Sequence, residues 1–258
     1  MAEGDTILRA ARRLERALGG RALAVRALGG RGRAAGVERL DGRRLEQVEA
    51  RGKHLLLRFD GLVLHSHLGM SGAWHVYRRG AAWRKPTGAA WATLSGEESE
   101  AVQFGGPTLR VLSESQLRRD PTLSRLGPDV LAPDFDPAAA AERLRASPDR
   151  ELGEALLDQR LLAGIGNIFK SEACFAARTD PWRRLGELTD EELRATLEAA
   201  RRLMLESVAK GRPPVAVYRR ADRPCPACGT SLAARGQGDA NRRTYWCLRC
   251  QAGARRAK

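Results

Sequence analysis

The chain lacks any apolar run approaching the ~18 consecutive residues that a membrane-spanning helix needs. It also lacks a secretory start. Met1 is followed by acidic Glu3 and Asp5, not by a basic segment and an apolar stretch. Internal repeats are absent. The five cysteines make no disulfide framework, because four sit in two tight pairs near the C-terminus and Cys174 stands alone. Acidic residues are in deficit, 31 against 45 Lys and Arg, for a formal charge of +14. These absences leave a soluble, cytosolic, basic protein that makes no use of a membrane. With 43% apolar residues it is too hydrophobic for a disordered chain. Its 258 residues are about 1.7 times the ~150-residue prior for one domain, so two are expected from length.

The charge excess favours encounters with polyanions, and nucleic acid is the commonest inside a cell. The ordinary alternative is a GC-rich genome that uses arginine for surface solubility.

Apolar Ile7, Ala11, Leu14 and Leu18 form one helical face after Asp5, the expected N-cap, and Gly19-Gly20 ends the helix. Residues 21 to about 110 read as strands. Asp60-Gly61 between Leu55–Phe59 and Leu62–His65 predicts a tight hairpin. A β-rich first domain follows, a sandwich or flattened barrel with the helix at its side. Residues 111–136 carry Asp120-Pro121, Gly127-Pro128 and Pro133 and read as a passage between domains. Beyond Pro137 the pattern is helical. Helices are expected from Pro148-Asp149 to Leu162, from Asn167 to Ala177, and from Thr189 to Ala209, the last with Thr189 and Glu192 spaced as a capping box. The basic end Arg255–Lys258 reads as a disordered tail.

Residues 216–258 are too few for a core of their own and need a staple. Cys225-x2-Cys228 and Cys247-x2-Cys250, 18 residues apart, have the spacing that places four thiolates around one structural Zn²⁺. With four protein ligands the metal has no open position, so its task is folding. The segment carries a formal +8. Arg242 and Arg243 fall between the knuckles, where a hairpin tip would project them toward a phosphate backbone or only into solvent. Trp246 reads as packing on the knuckle rather than as a base stacker.

Six segments, in order, resemble the formamidopyrimidine-DNA glycosylase and endonuclease VIII family of base-excision repair enzymes. Glu3-Gly4-Asp5-Thr6 resembles its amino-terminal motif, and Arg51-Gly52-Lys53-His54-Leu55 its lysine hairpin. His67-Leu68-Gly69-Met70-Ser71-Gly72 resembles its intercalation loop, and Leu126-Gly127-Pro128-Asp129 its domain junction. Leu157-Asp158-Gln159 through Ala163-Gly164-Ile165-Gly166-Asn167-Ile168 resembles its helix–two-turn–helix motif. The four-cysteine finger, with Arg242 before Cys247 and Gln251 after Cys250, completes the set.

The resemblance implies a multidomain α+β fold: a catalytic β-sandwich domain with a flanking helix over 1–127, a helix–two-turn–helix DNA-binding domain over 128–215, and a zinc-finger β-hairpin with a basic tail over 216–258. It implies a monomeric glycosylase and abasic-site lyase, in the cytoplasm and at the nucleoid of a bacterium. Its partner is double-stranded DNA holding a damaged base or abasic site, with single-stranded DNA as a further candidate. The nucleophile is the α-amine exposed when Met1 is removed. With a pKa of ~7.7–8.0, roughly a tenth of it is neutral at pH 7, against under about 0.1% for a lysine. A helix N-terminus lowers the pKa further. The amine attacks C1′, expels the base and leaves a Schiff base, from which β- or β,δ-elimination cuts the strand.

Here the chain departs from the family, which has proline after Met1 where this sequence has Ala2. The resulting amine is primary, its imine must be protonated to withdraw electrons, and the ring that fixes φ is missing. A slower lyase step is one consequence. A non-catalytic sensor of damaged or single-stranded DNA on the same scaffold is the alternative function, and a zinc-ribbon protein outside repair is a third.

By the same resemblance Glu3 is the acid that opens the sugar or protonates the leaving group. Lys53 contacts phosphate and assists proton transfer. Asn167, Arg125 and Arg242 hold phosphates, Arg242 also assisting δ-elimination, and Met70 fills the gap left by the flipped base. Each has an ordinary alternative: a first-turn carboxylate for Glu3, surface or linker cations for Lys53 and Arg125, an N-cap for Asn167, core filler for Met70. His54, His65, His67 and His75 show no metal spacing and read as strand residues, and Cys174 as a buried thiol. The segment 211–223 is too short for the lid loop of the oxidised-guanine branch, and Phe104-Gly105-Gly106-Pro107 lacks that branch's wedge. Both features resemble the endonuclease VIII branch, which acts on oxidised pyrimidines.

Overall fold

The first helix, α1 (Gly4–Leu18), buries Ile7, Ala11, Leu14 and Leu18 along one face. This is a computed structural model, and it describes residues 2–252. Glu3, not Asp5, caps α1. Its backbone is extended and its carbonyl accepts the N–H groups of Thr6 and Ile7 at 3.0 and 3.1 Å. Asp5 instead lies in the first turn, where its carboxylate accepts from Arg9 at 3.4 Å. At the other end Glu15 Oε2 accepts from the Val48 N–H at 2.6 Å and ties the helix to the sandwich.

The sandwich is built from β1 (Ala24–Ala27), β2 (Leu45–Arg51), β3 (His54–Phe59), β4 (Leu62–His67), β5 (Ala73–Arg78), β6 (Ala90–Ser95), β7 (Ser99–Phe104) and β8 (Thr108–Ser113), with α2 (Gly29–Ala34) between β1 and β2. They form two antiparallel sheets, ordered β1-β6-β7-β5 and β2-β3-β4-β8. Asp60 and Gly61 both take positive φ, 25° and 78°. That suits a tight turn whose twist matches its strands, and it sets the pairing of Phe59 with Leu62. Alternation then sends Leu55, Leu57, Phe59 and Leu64 inward to meet Ile7, Leu14 and Leu18. Each fully buried leucine stabilises the fold by about 1.5–3 kcal/mol.

Short α3 (Glu114–Arg118) opens on a capping box at Ser113. The chain divides into two compact units between Arg125 and Leu126. The second holds α4 (Pro137–Arg145), α5 (Leu152–Ala155), α6 (Asn167–Ala176), α7 (Asp190–Lys210) and a hairpin of β9 (Leu232–Gln237) and β10 (Arg242–Cys247). The long α7 has the expected capping box at Thr189 and Glu192 and a left-handed Gly211 at its end. The expected helix over 148–162 is not formed. Only one turn, α5, is helical, because side chains claim the backbone beyond it. The Gln159 amide donates to the carbonyls of Leu157 and Ile165 and accepts from Gly164, while Asp158 is held by Arg150 and Arg160. No helix among the described residues is long and apolar enough to cross a membrane. The predicted tail Arg255–Lys258 lies outside the described residues, as does Met1.

Candidate active site and metal centre

Ala2 is half-buried at the head of α1, and its backbone nitrogen donates to the Gly69 carbonyl at 3.1 Å. Glu3 beside it is 1% exposed. Its carboxylate makes no capping hydrogen bond to α1, though it stands in the positive field of the helix start. Burial in the positive field of a helix start is where a carboxylate can be held for acid–base work.

The loop that meets Ala2 needs glycine. Gly69 has φ +57°, and a Cβ on Gly72 would come within 2.5 Å of the Leu68 carbonyl oxygen. At the tip between them Met70 is 65% exposed. It is not core filler. A large apolar side chain held out by a tight loop is suited to insertion between stacked bases.

Lys53 follows Gly52, which has φ 58°, in the two-residue turn closed by the pairing of Arg51 with His54. His54 pairs across the strands with His67. The His67 imidazole is pushed below its usual pKa, first by burial and then by the charge of Lys53. Lys53 therefore stands at the end of β4 that leads into Gly69. Ala2 through its bond to Gly69, Lys53 through its charge on His67, and Met70 itself thus meet at residues 67–70, with Glu3 next to Ala2 in the chain. Arg125, exposed at the end of the first unit, is not joined to them by any described contact.

In the second unit Asn167 is the first residue of α6, and Gly166 is the cap, so Asn167 is not the N-cap. Its Nδ2 donates to the Arg243 carbonyl at 2.8 Å, and its buried Oδ1 has no hydrogen-bond partner among the described residues. Asn167 is thus tied to the hairpin whose exposed tip carries Arg242 and Arg243, next to a turn with left-handed Gly238 and Asn241. Trp246 packs edge-on against Trp182 at 5.1 Å, not on the knuckle as expected.

Two buried charged residues on α6 escaped sequence reading. Glu172 accepts the N–H groups of Ala216, Val217 and Tyr218 at 2.7–2.9 Å, fixing the entry to the finger, and burial raises its pKa. Lys170, fully buried, donates to Thr244 on β10 at 2.5 Å. The available signal was a charge on each side of Ser171 in an otherwise apolar helix.

The Sγ atoms of Cys225, Cys228, Cys247 and Cys250 all lie within 4.8 Å of one another. Cys225–Cys250 and Cys228–Cys247 are separated by 3.9 and 3.5 Å. Tetrahedral sulfur ligands about 2.3 Å from a metal would sit roughly 3.8 Å apart, so the donor set fits. The backbone prepares it: the N–H groups of Ala227 and Cys250 point at Cys225 and Cys247 Sγ, each at 3.4 Å. Gln251 holds the second knuckle, accepting from Cys247 N–H at 2.8 Å and donating to the Thr179 carbonyl at 2.9 Å. Four thiolates this close repel one another, and a divalent cation offsets that repulsion. Cys174 is not part of the four-sulfur group; it is fully buried, with its pKa pushed up to about 12 by desolvation.

Residues 1–107 match the formamidopyrimidine-DNA glycosylase N-terminal domain, and residues 126–217 match the formamidopyrimidine-DNA glycosylase H2TH domain. The chain belongs to the formamidopyrimidine-DNA glycosylase and endonuclease VIII family. A relative from Streptomyces coelicolor named probable endonuclease 8 2 is 45% identical, over 98% of this chain and 95% of its own. The DNA-(apurinic or apyrimidinic site) lyase Nei2 of Mycolicibacterium smegmatis is 36% identical, over 97% and 99%. A Lactococcus lactis family member, solved with DNA containing an abasic site, shares the fold with a TM-score of 0.82 at 22% identity, over 96% of this chain and 99% of that one. The sandwich, the helical unit and the cysteine hairpin are the parts of this family's fold.

Proposed function

We propose that this protein is a base-excision repair DNA glycosylase with abasic-site lyase activity. The observation that carries the reading is the joining of the Ala2 nitrogen to Gly69, next to a buried Glu3 and an exposed Met70. One backbone hydrogen bond joins the segment holding a candidate nucleophile and a candidate acid to the loop holding a candidate wedge, in a chain whose relatives carry endonuclease 8 and lyase names.

Met1 is removed, and the neutral Ala2 amine attacks C1′ of the damaged nucleotide. The C1′–N bond breaks, and Glu3 supplies the proton that the departing base or the opened sugar oxygen needs. The C1′–O4′ bond then opens to give a protonated imine; this draws electrons from C2′, whose proton leaves while the C3′–O bond breaks and the 3′ phosphate departs, which is β-elimination. Lys53 assists that transfer and holds a phosphate. Met70 occupies the vacated stack, and Asn167, Arg125 and Arg242 hold phosphates. The chain works as a monomer, and its three parts are 1–127, 128–215 and 216–258. The cysteines hold one Zn²⁺, which supplies folding energy to the finger and no step of the reaction. Oxidised pyrimidines are the favoured lesions, in keeping with the endonuclease 8 names and the short 211–223 segment. Double-stranded DNA at the nucleoid of a bacterial cytoplasm is the substrate, and single-stranded DNA a second.

Borohydride trapping on oligonucleotides holding thymine glycol or an abasic site tests the reading, with the adduct mapped to Ala2 by mass spectrometry. Tight binding without base release or adduct would leave a non-catalytic sensor. An intact Met1 in protein from the native host would remove the nucleophile.

A further inference from the structure

We propose that Asp120, Arg110, His65 and His54 form a one-way hydrogen-bond chain that fixes His54 as its Nε2–H tautomer and holds the Lys53 turn against His67. The role given to this turn rests on the reading of Lys53 above; the chain itself does not.

The polarity follows from one residue. Arginine can only donate. The Arg110 Nε–H donates to His65 Nδ1 at 3.1 Å, so that nitrogen carries no proton and the proton of a neutral His65 is on Nε2. His65 Nε2 lies 2.9 Å from His54 Nδ1. It donates there, and the remaining proton of His54 must be on Nε2. Both imidazoles are neutral at pH 7, because burial pushes His54 to about 3 and His65 to about 4. Protonating either would set two donors against each other or against the guanidinium. The far end is anchored, since Asp120 pairs with Arg110 and accepts the N–H groups of Thr122 and Leu123 at 3.1 and 3.0 Å.

The chain lies on the face of β3, β4 and β8 that points away from the sandwich core, opposite Leu55, Leu57 and Leu64. His54 is 8% exposed and His65 2%. The chain ends beside the functional turn. His54 follows Lys53 directly and closes its turn with Arg51, and its ring lies 4.8 Å from that of His67, tilted 31°. It is not a metal site: the cysteines alone gather as a metal-holding group among the described residues. All four members are positioning residues.

Histidine-selective ¹⁵N NMR of the full, metal-loaded protein at pH 7 is the first test. Both His54 and His65 should show protonated Nε2 and bare Nδ1; a protonated Nδ1 on either overturns the chain. The second test compares two variants on DNA with a preformed abasic site. Gln at 65 can accept from Arg110 and donate to His54, whereas Leu can do neither. His65→Leu should lower kcat for strand cleavage about ten-fold with KM changed less than about two-fold, and His65→Gln should recover to within about three-fold of the parent. Equal losses in the two variants would overturn the positioning role. If the parent itself neither cleaves nor is trapped, the lyase reading fails, while the NMR result still decides the chain. If the Leu variant does not fold, the parent spectrum still decides it.

Discussion

The backbone nitrogen of Ala2 donates to the carbonyl of Gly69, one residue before the exposed Met70. The start of the chain and the loop that would enter DNA are therefore mechanically joined. A change in the loop's conformation should be felt at Ala2, the proposed nucleophile.

Gly69→Ala tests that joint. Its φ of +57° is strained for alanine, and the new Cβ would sit 2.8 Å from Pro107 Cδ. A cost of about 1–3 kcal/mol is expected. Urea unfolding should show a lower midpoint, and borohydride trapping on abasic DNA should slow under conditions where the variant is still folded. Full trapping in a destabilised variant would uncouple the loop from Ala2.

Glu3→Gln keeps the shape of the side chain and removes its proton. Base release from thymine glycol DNA should fall at least about 10²-fold, the lower range of general acid–base contributions. Fluorescence anisotropy on an uncleavable abasic analogue should change little. Retained excision would remove Glu3 from its assigned role.

Much of this was legible because local chemistry decided it. Asp60-Gly61 could make only a tight turn, and Thr189 with Glu192 capped α7 as their spacing required. The cysteine pairs announced their cluster. The misreadings share a cause, which is contact between residues distant in sequence or claims on the backbone by side chains. Gln159 and Asp158 turned an apparent helix into loop. Asn167 opens α6 as its spacing required, but its tie to the Arg243 carbonyl, 76 residues away, had no sequence signal. The His54–His65 pair was missed although the Asp60-Gly61 turn fixes it: pairing Phe59 with Leu62 also pairs His54 with His67 and sets His65 two residues away on the same face. Only the alignment of β3 with β4 brings the rings together.

The buried histidines make stability sensitive to mild acid. His54 and His65 titrate at about 3 and about 4 in the folded protein, and His67 and His75 are also lowered, all chiefly by burial. Unfolded histidine titrates near ~6.5. Between that value and the folded values the unfolded chain binds more protons, so stability rises with pH. It should be fully present above about pH 6.5 and fall steadily toward pH 4. Urea midpoints at pH 7, 6 and 5 measure this, and His65→Gln should flatten the slope. A midpoint independent of pH over that range would mean that the imidazoles are not buried as described.

Removal of metal should act on the finger before anything else. The four thiols, their two N–H···S contacts and the Gln251 clamp all converge on the hairpin that bears Arg242 and Arg243. Without a cation the cluster loses the attraction that holds the knuckles together, and in a segment this short metal binding is folding energy. A strong chelator should release one zinc per chain, reduce near-ultraviolet circular dichroism from the Trp182–Trp246 pair, and weaken binding to abasic DNA. Arg242→Ala should reproduce part of that weakening and lower the salt slope by about one phosphate contact without loss of metal. The two results together separate the arginine's contact from the fold that presents it. Undiminished DNA binding after complete metal loss would mean that the hairpin stands without its staple.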